Sequence, residues 1–124
     1  LICVLGSAGG GRDKWKRPKM GKIAGDYCDA IILTNEDPYD EDPDSILNQV
    51  KEGIRVSPRF DPRKSAVYEI LDRRGGIRKA ISLAKKGDTV IITGKGSENW
   101  IHIAGGKKTS WNERKNVEEI LNNL

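Results

Sequence analysis

The sequence predicts an α/β fold: a mainly parallel sheet, Rossmann-like in layout, with helices on both faces and a C-terminal β-hairpin. Three observations carry this expectation. Short, continuously apolar runs alternate with helical patterns along the chain. Those runs lack the strict in–out alternation of a half-exposed antiparallel sheet. Glycine-rich or charged segments follow three of the runs directly, which would place them on one edge, where open parallel sheets bind ligands.

The elements follow in order. Leu1–Leu5 reads as a buried strand ended by Gly6, and four glycines among residues 6–11 leave backbone N–H groups open to close approach. A basic block comes next, and Pro18 suits the first turn of a helix running to about Tyr27. Ala30–Thr34 is a second buried strand, followed by an acidic loop. Asp42-Pro43-Asp44 is an N-cap, a proline at N1 and an acid at the positive end of the dipole; the helix it opens should stop at Gly53. Residues 54–65 look like an exposed excursion. Ala66–Leu71 is a strand, Asp72 caps a helix from Arg73 to Lys86, and Thr89–Thr93 is another buried strand. Trp100–Ala104 and Lys107–Trp111 suggest the hairpin, and Asn112 caps the last helix.

Composition narrows the function. The chain has 124 residues, enough for one domain, with hydrophobic residues at 36%. No window is long and apolar enough for a membrane span, and the apolar start lacks a basic lead, so a secreted or membrane protein is not expected. Cys3 and Cys28, both in apolar stretches, read as reduced core thiols of a cytoplasmic protein. A single histidine and no Cys/His cluster argue against zinc. The net charge of +4 hides two blocks: Arg12, Lys14, Lys16, Arg17, Lys19 and Lys22, then Glu36, Asp37, Asp40, Glu41, Asp42 and Asp44. Opposite blocks in two strand-following loops suit a ligand with both charges better than nucleic acid, though each block alone could be a solvated loop. Neither the glycine loop nor the Gly-Lys pairs make a dinucleotide fingerprint or a phosphate-binding P-loop. A share of a phosphate site through Lys14, Lys16, Arg17 or Lys95 stays open.

Four segments then resemble a family. Gly10-Gly11-Arg12-Asp13-Lys14-x-Lys16-Arg17-Pro18-x-Met20-Gly21 is similar to the start of the C-terminal domain of the Mur ligases, most of all the tripeptide synthetases. Thr34-x-Glu36-Asp37-Pro38-x-x-Glu41-Asp42-Pro43, Asp72-Arg73 with Ala80-Ile81, and Gly94-Lys95-Gly96-Ser97-Glu98 resemble further motifs of the same domain, in the same order. The resemblance implies residues 1–124 are the amino-acid-binding lobe of an ATP-dependent amide ligase. Its substrates would be an amino acid and a UDP-linked muramoyl dipeptide, in peptidoglycan synthesis. ATP and Mg2+ would bind mainly in N-terminal and central domains absent from this chain. The isolated lobe should then be inactive, and a first residue other than Met, already in a strand, suggests a longer parent.

Residue by residue, the resemblance makes Arg12 the guanidinium that takes the incoming amino acid's carboxylate, a task suited to its bidentate fork. Glu36 and Asp37 would hold the polar end of the amino acid, and Gly94 and Glu98 its distal end, with Glu98 accepting from an ammonium. No catalytic or metal-binding residue is assigned. Family members that use diaminopimelate carry an arginine where this chain has Tyr39, and an asparagine where it has Asp37. Those departures favour lysine or another diamino acid without a distal carboxylate. Ser97 stands where the family has histidine, so no acid–base role passes to it. His102 reads as a packed or edge residue, and Trp15 as a nucleotide-stacking side chain or a loop cover. Alternatives are a folylpolyglutamate- or cyanophycin-type lobe, or a stand-alone module for anions or nucleic acid.

Overall fold

The computed structural model describes residues 1–11 and 14–124. Strands β1 (Ile2–Leu5), β2 (Ala30–Leu33), β3 (Ala66–Glu69) and β4 (Val90–Ile92) form one parallel sheet in the order β3-β2-β1-β4. Helices α1 (Lys16–Tyr27) and α2 (Pro43–Arg55) cover one face, and α3 (Arg73–Leu83) and α4 (Glu113–Asn122) the other. Between β4 and α4, β5 (Trp100–His102) and β6 (Lys108–Ser110) pair as an antiparallel hairpin.

Strand periodicity explains the two cores. Cys3, Leu5, Ile31 and Leu33 point to one side and meet Ala24, Leu47, Val50 and Ile54. Ile2, Val4 and Ile32 point to the other and meet Ile77, Ala80 and Ile120. The parallel register aligns Leu5 with Leu33 and Val4 with Ile92, so the loops after β1, β2 and β4 leave the sheet at the same edge. The crossover through α1 uses one face and that through α3 the other; the strand order therefore reverses beside β1, the usual place for a ligand in such sheets.

Asp42, Asp72 and Asn112 cap their helices, through the N–H groups of Asp44, Gly75 and Lys115. Four expectations change. Gly53 does not end α2: the helix runs to Arg55, and a Cβ at Gly53 would strike the carbonyl oxygen of Pro18, so its role is to let α1 come close. The α3 helix ends at Leu83, leaving Lys85 and Lys86 beyond it. Residues 54–65 are not wholly exposed, because Ile54 and Ser57 are buried, Ser57 donates to Asp26, and Phe60 packs on the core. And β4 lies at the edge of the four-stranded sheet, with Ile91 42% exposed.

The cysteines also depart from expectation. Cys3 and Cys28 form a disulfide with their Cα atoms 6.3 Å apart. Cys3 faces the α1 side of β1 and Cys28 follows the last turn of α1, so the β1–α1 unit itself brings the two sulfurs together. Cysteine usage therefore gives no sign of a reducing compartment. No helix among the described residues is long and apolar enough to cross a membrane.

Candidate functional site

The acidic loop after β2 and the glycine-lysine turn after β4 meet at the carboxyl edge of the sheet. Asp37 is the junction. Its Oδ1 accepts from Lys95 Nζ at 2.8 Å and from the His102 N–H at 2.9 Å, which ties the acidic loop to both the turn and the hairpin. Lys95 is almost fully buried, and its Nζ also lies 3.0 Å from Glu98 Oε2. Burial works against the Lys95 ammonium, but the hydrogen bonds to Asp37 and Glu98 prevail and raise its pKa. That charge is held inside the protein by two carboxylates.

Glu36 stands differently. Gly94 has φ +107°, and a Cβ there would lie 2.8 Å from Glu36 Oε2, so the glycine lets the turn approach the carboxylate. Glu36 is half-buried and makes no hydrogen bond or ion pair among the described residues. Burial raises its pKa; the charge of Arg73 partly offsets this, and Asp37 adds to it. Glu98 keeps more than half of its side chain open to solvent. A small hollow of about 180 Å³, lined by Gly96, Ser97, Glu98 and Glu113 among others, continues the site on that side.

Arg73 buttresses this edge. Its buried guanidinium donates to both oxygens of Glu113 at 2.9 and 2.7 Å, to Asn35 O at 3.0 Å and to Thr93 O at 2.7 Å. It thereby binds the ends of β2 and β4 to the first turn of α4. Tyr39 stacks on His102 with ring centroids 5.2 Å apart and has φ +53°; its N–H donates to His102 O. His102 is thus a packed residue of the hairpin.

The structure brings Glu36, Asp37, Gly94, Lys95 and Glu98 together. Arg12 lies outside the described residues. Lys14 is exposed, with its charge felt by Glu41. Lys16 borders an apolar hollow between α1 and β1 with Met20 and Ile23, rather than the carboxylate cluster. Trp15 is exposed beneath the ammonium groups of Lys16 and Lys19, 5.6 and 5.3 Å from its ring. Trp111 donates to Glu113 and packs on the core, whereas Trp100 is exposed under Lys108.

Two buried arginines organise this edge beyond what the sequence suggests. Arg73 stands in the sequence as part of a motif, and Arg17 as part of another and as a possible phosphate contact; the Arg17 guanidinium is instead fully buried and engaged by Glu41, Gln49 and the carbonyl of Ala8. A signal for Arg17 exists: with Gly21, Ala24 and Cys28 it continues the buried stripe of α1.

An open parallel sheet with carboxylates and a buried lysine converging at its strand-order reversal is the layout of a ligand-binding α/β lobe. The family model described as Mur ligase, glutamate ligase domain matches residues 1–96, and the chain belongs to that family. Among its relatives, UDP-N-acetylmuramoyl-L-alanyl-D-glutamate--2,6-diaminopimelate ligase of Caldanaerobacter subterraneus subsp. tengcongensis is 45% identical over 97% of this chain and 23% of its own length. The ligase of the same name from Aquifex aeolicus is 46% identical over 98% of this chain and 23% of its own. A solved structure of a protein with that name superposes with a TM-score of 0.84 at 34% identity, over 98% of this chain and 23% of the other. The chain thus spans less than a quarter of the length of these relatives.

Proposed function

We propose that this chain is the amino-acid-binding lobe of an ATP-dependent ligase that adds a diamino acid to a UDP-linked muramoyl dipeptide in peptidoglycan synthesis. The observation that carries this reading is the balance of charge at the sheet edge. Lys95 is engaged by Asp37 and Glu98, and Arg73 by Glu113, while Glu36 stays half-buried without a hydrogen-bond or ion-pair partner among the described residues and Glu98 stays open. A carboxylate raised in pKa by burial gains most from an incoming ammonium. A diamino acid supplies a second amine beyond the one that is acylated, and its ammonium would meet this negative charge while Arg12 takes its carboxylate. Neutral sugars or nucleic acid offer such a site no cation.

ATP would activate the acceptor carboxylate, which does not condense with an amine unaided. This chain's own residues would hold the amine in place, where positioning gives a large share of the rate. ATP, with Mg2+, would be held mainly by parts of the ligase outside this chain, since the chain carries no phosphate-binding P-loop motif and Lys95 faces inward to Asp37 and Glu98. Lys14 remains available for a phosphate. A cytoplasmic location agrees with UDP-linked and ATP-dependent chemistry.

The relatives' names point to 2,6-diaminopimelate as the diamino acid. Tyr39, uncharged and stacked on His102 where the resemblance expects arginine, favours lysine as a second reading. Ligation by the full-length enzyme, with UDP-muramoyl dipeptide, ATP and either diamino acid in turn, tests both. Formation of neither product refutes the function; preference for one amino acid decides between the readings.

A further inference from the structure

Arg17 belongs to the basic block, yet its side chain is fully buried, whereas Lys14, Lys16 and Lys19 are exposed. Its Nη1 donates to Glu41 Oε2 at 2.5 Å and to Gln49 Oε1 at 2.9 Å. Its Nη2 donates to Glu41 Oε1 at 3.1 Å and to the carbonyl of Ala8 at 2.8 Å. Glu41 Oε1 in turn accepts the N–H of Gly11 at 3.1 Å. Between these two anchors the Gly9 N–H donates to Asp37 O at 2.6 Å, and Gly9 lies so close to Pro38 that a Cβ would collide with its carbonyl. The glycine loop is therefore fastened to the acidic loop at Ala8, Gly9 and Gly11.

Stability alone is a poor account of this pair. A buried ion pair gains little over a well-packed apolar pair, because both charges lose their water. Here the cost is greater, since Arg17 Nε is buried with no hydrogen-bond partner among the described residues. What the pair secures is register. The segment it clamps carries Asp37, whose side chain holds Lys95 and the hairpin, and follows directly on Glu36.

We propose that Arg17 and Glu41 are positioning residues, whose buried pair latches the glycine loop of residues 6–11 onto residues 37–41 and so fixes the rim of the amino-acid site. The proposal rests on the amino-acid-binding function proposed above. It touches no substrate group: the latch acts through the backbone that carries Glu36 and Asp37.

The test uses the full-length ligase that carries this chain, with Glu41→Gln and Arg17→Lys, each of which keeps a hydrogen-bonding group. Glu52→Gln, at the exposed pair with Arg55 on α2, is the control. Two readouts are taken: KM for each of the three substrates, and hydrogen–deuterium exchange of peptides spanning residues 6–11, 2–5 and 30–33. The expected result is a KM for the diamino acid raised about tenfold or more, with KM for ATP and UDP-dipeptide within about twofold. Exchange should speed up in residues 6–11 and stay unchanged in β1 and β2. Unchanged exchange in residues 6–11 overturns the latch. Faster exchange with an unchanged amino-acid KM overturns the positioning role, as does a parallel rise in all three KM values, which marks a merely structural pair. A wild-type enzyme that accepts no diamino acid overturns the functional reading itself and the positioning role with it; the exchange data still report whether the latch exists. If Glu41→Gln does not fold, Arg17→Lys answers the same questions.

Discussion

Replacing Arg73 with methionine should be among the most damaging single changes in the chain. Methionine keeps much of the volume and removes the charge. Glu113, only 8% exposed, would then keep Trp111 Nε1 as its remaining side-chain donor, at 3.1 Å. Stranding one partner of a buried ion pair costs about 3–5 kcal/mol. The carbonyls of Asn35 and Thr93 also lose a donor, and at this partly buried edge each adds up to about 1 kcal/mol. The expected loss is about 4–6 kcal/mol, a large share of the roughly 5–15 kcal/mol that holds a typical domain together. For a chain of 124 residues that lowers Tm by about 15–25 °C. Urea unfolding followed by circular dichroism measures it, for Arg73→Met, Glu113→Leu and the double variant. The double variant leaves no charge stranded and should recover at least half of the loss. An Arg73→Met variant that costs under about 1 kcal/mol, or single effects that simply add, would refute the buttress.

The other expectations are as follows. The Arg17 guanidinium beside Glu41 lowers its pKa to about 2. A lowered carboxylate stabilises above its ordinary pKa and loses that contribution as pH falls, so the advantage of wild type over Glu41→Gln should shrink by about 2 kcal/mol between pH 5 and pH 2 in urea titrations, after allowing for solvent screening. Glu36 has the opposite sign: its raised pKa means that stability falls as pH rises through it, so Glu36→Gln should be more stable than wild type at pH 7 in thermal melts while the full-length enzyme's KM for the diamino acid rises. Reducing the Cys3–Cys28 link, which closes a loop with a sequence separation of 25, should lower stability by about 3 kcal/mol on chain-entropy grounds, read by unfolding with and without dithiothreitol. This chain alone, given ATP, diamino acid and UDP-dipeptide, should release no phosphate in a colorimetric assay.

How much of this could be read in the sequence depends on how local each signal is. The sheet and its four helices were legible because each strand is a short apolar run and three helices begin at a side-chain cap, Asp42, Asp72 and Asn112. Gly53 misled for a reason that lies elsewhere in the chain: a glycine near a helix end signals a stop, and nothing local shows that Pro18 will press against it. The disulfide was hidden in the same way. Apolar neighbours describe both a core thiol and a buried bridge, and only the path of α1 brings Cys3 and Cys28 together.

The site shows the same division. That Glu36, Asp37, Gly94 and Glu98 share one edge follows from parallel strands that each run directly into one of these loops, which the apolar runs predict. How they divide their tasks does not. Asp37 and Glu36 are sequence neighbours of like charge, yet one is engaged by Lys95 and the hairpin while the other has no hydrogen-bond or ion-pair partner among the described residues. The difference comes from Lys95, 58 residues beyond Asp37, which can satisfy Asp37 and Glu98 but cannot also neutralise Glu36. Among the described residues, one ammonium beside three carboxylates, with Arg73 already engaged by Glu113, leaves a surplus of negative charge at this half-buried edge, and such a surplus is costly unless a cation arrives. Under the proposed function, selectivity for an amine is therefore set by a lysine that itself need never touch the substrate. Adding a second cation should weaken it: Ser97→Lys, in the hollow shared with Glu98 and Glu113, should raise stability at neutral pH and weaken diamino-acid binding by the full-length enzyme in calorimetric titration. Undiminished affinity in that variant would mean that charge balance does not govern recognition here.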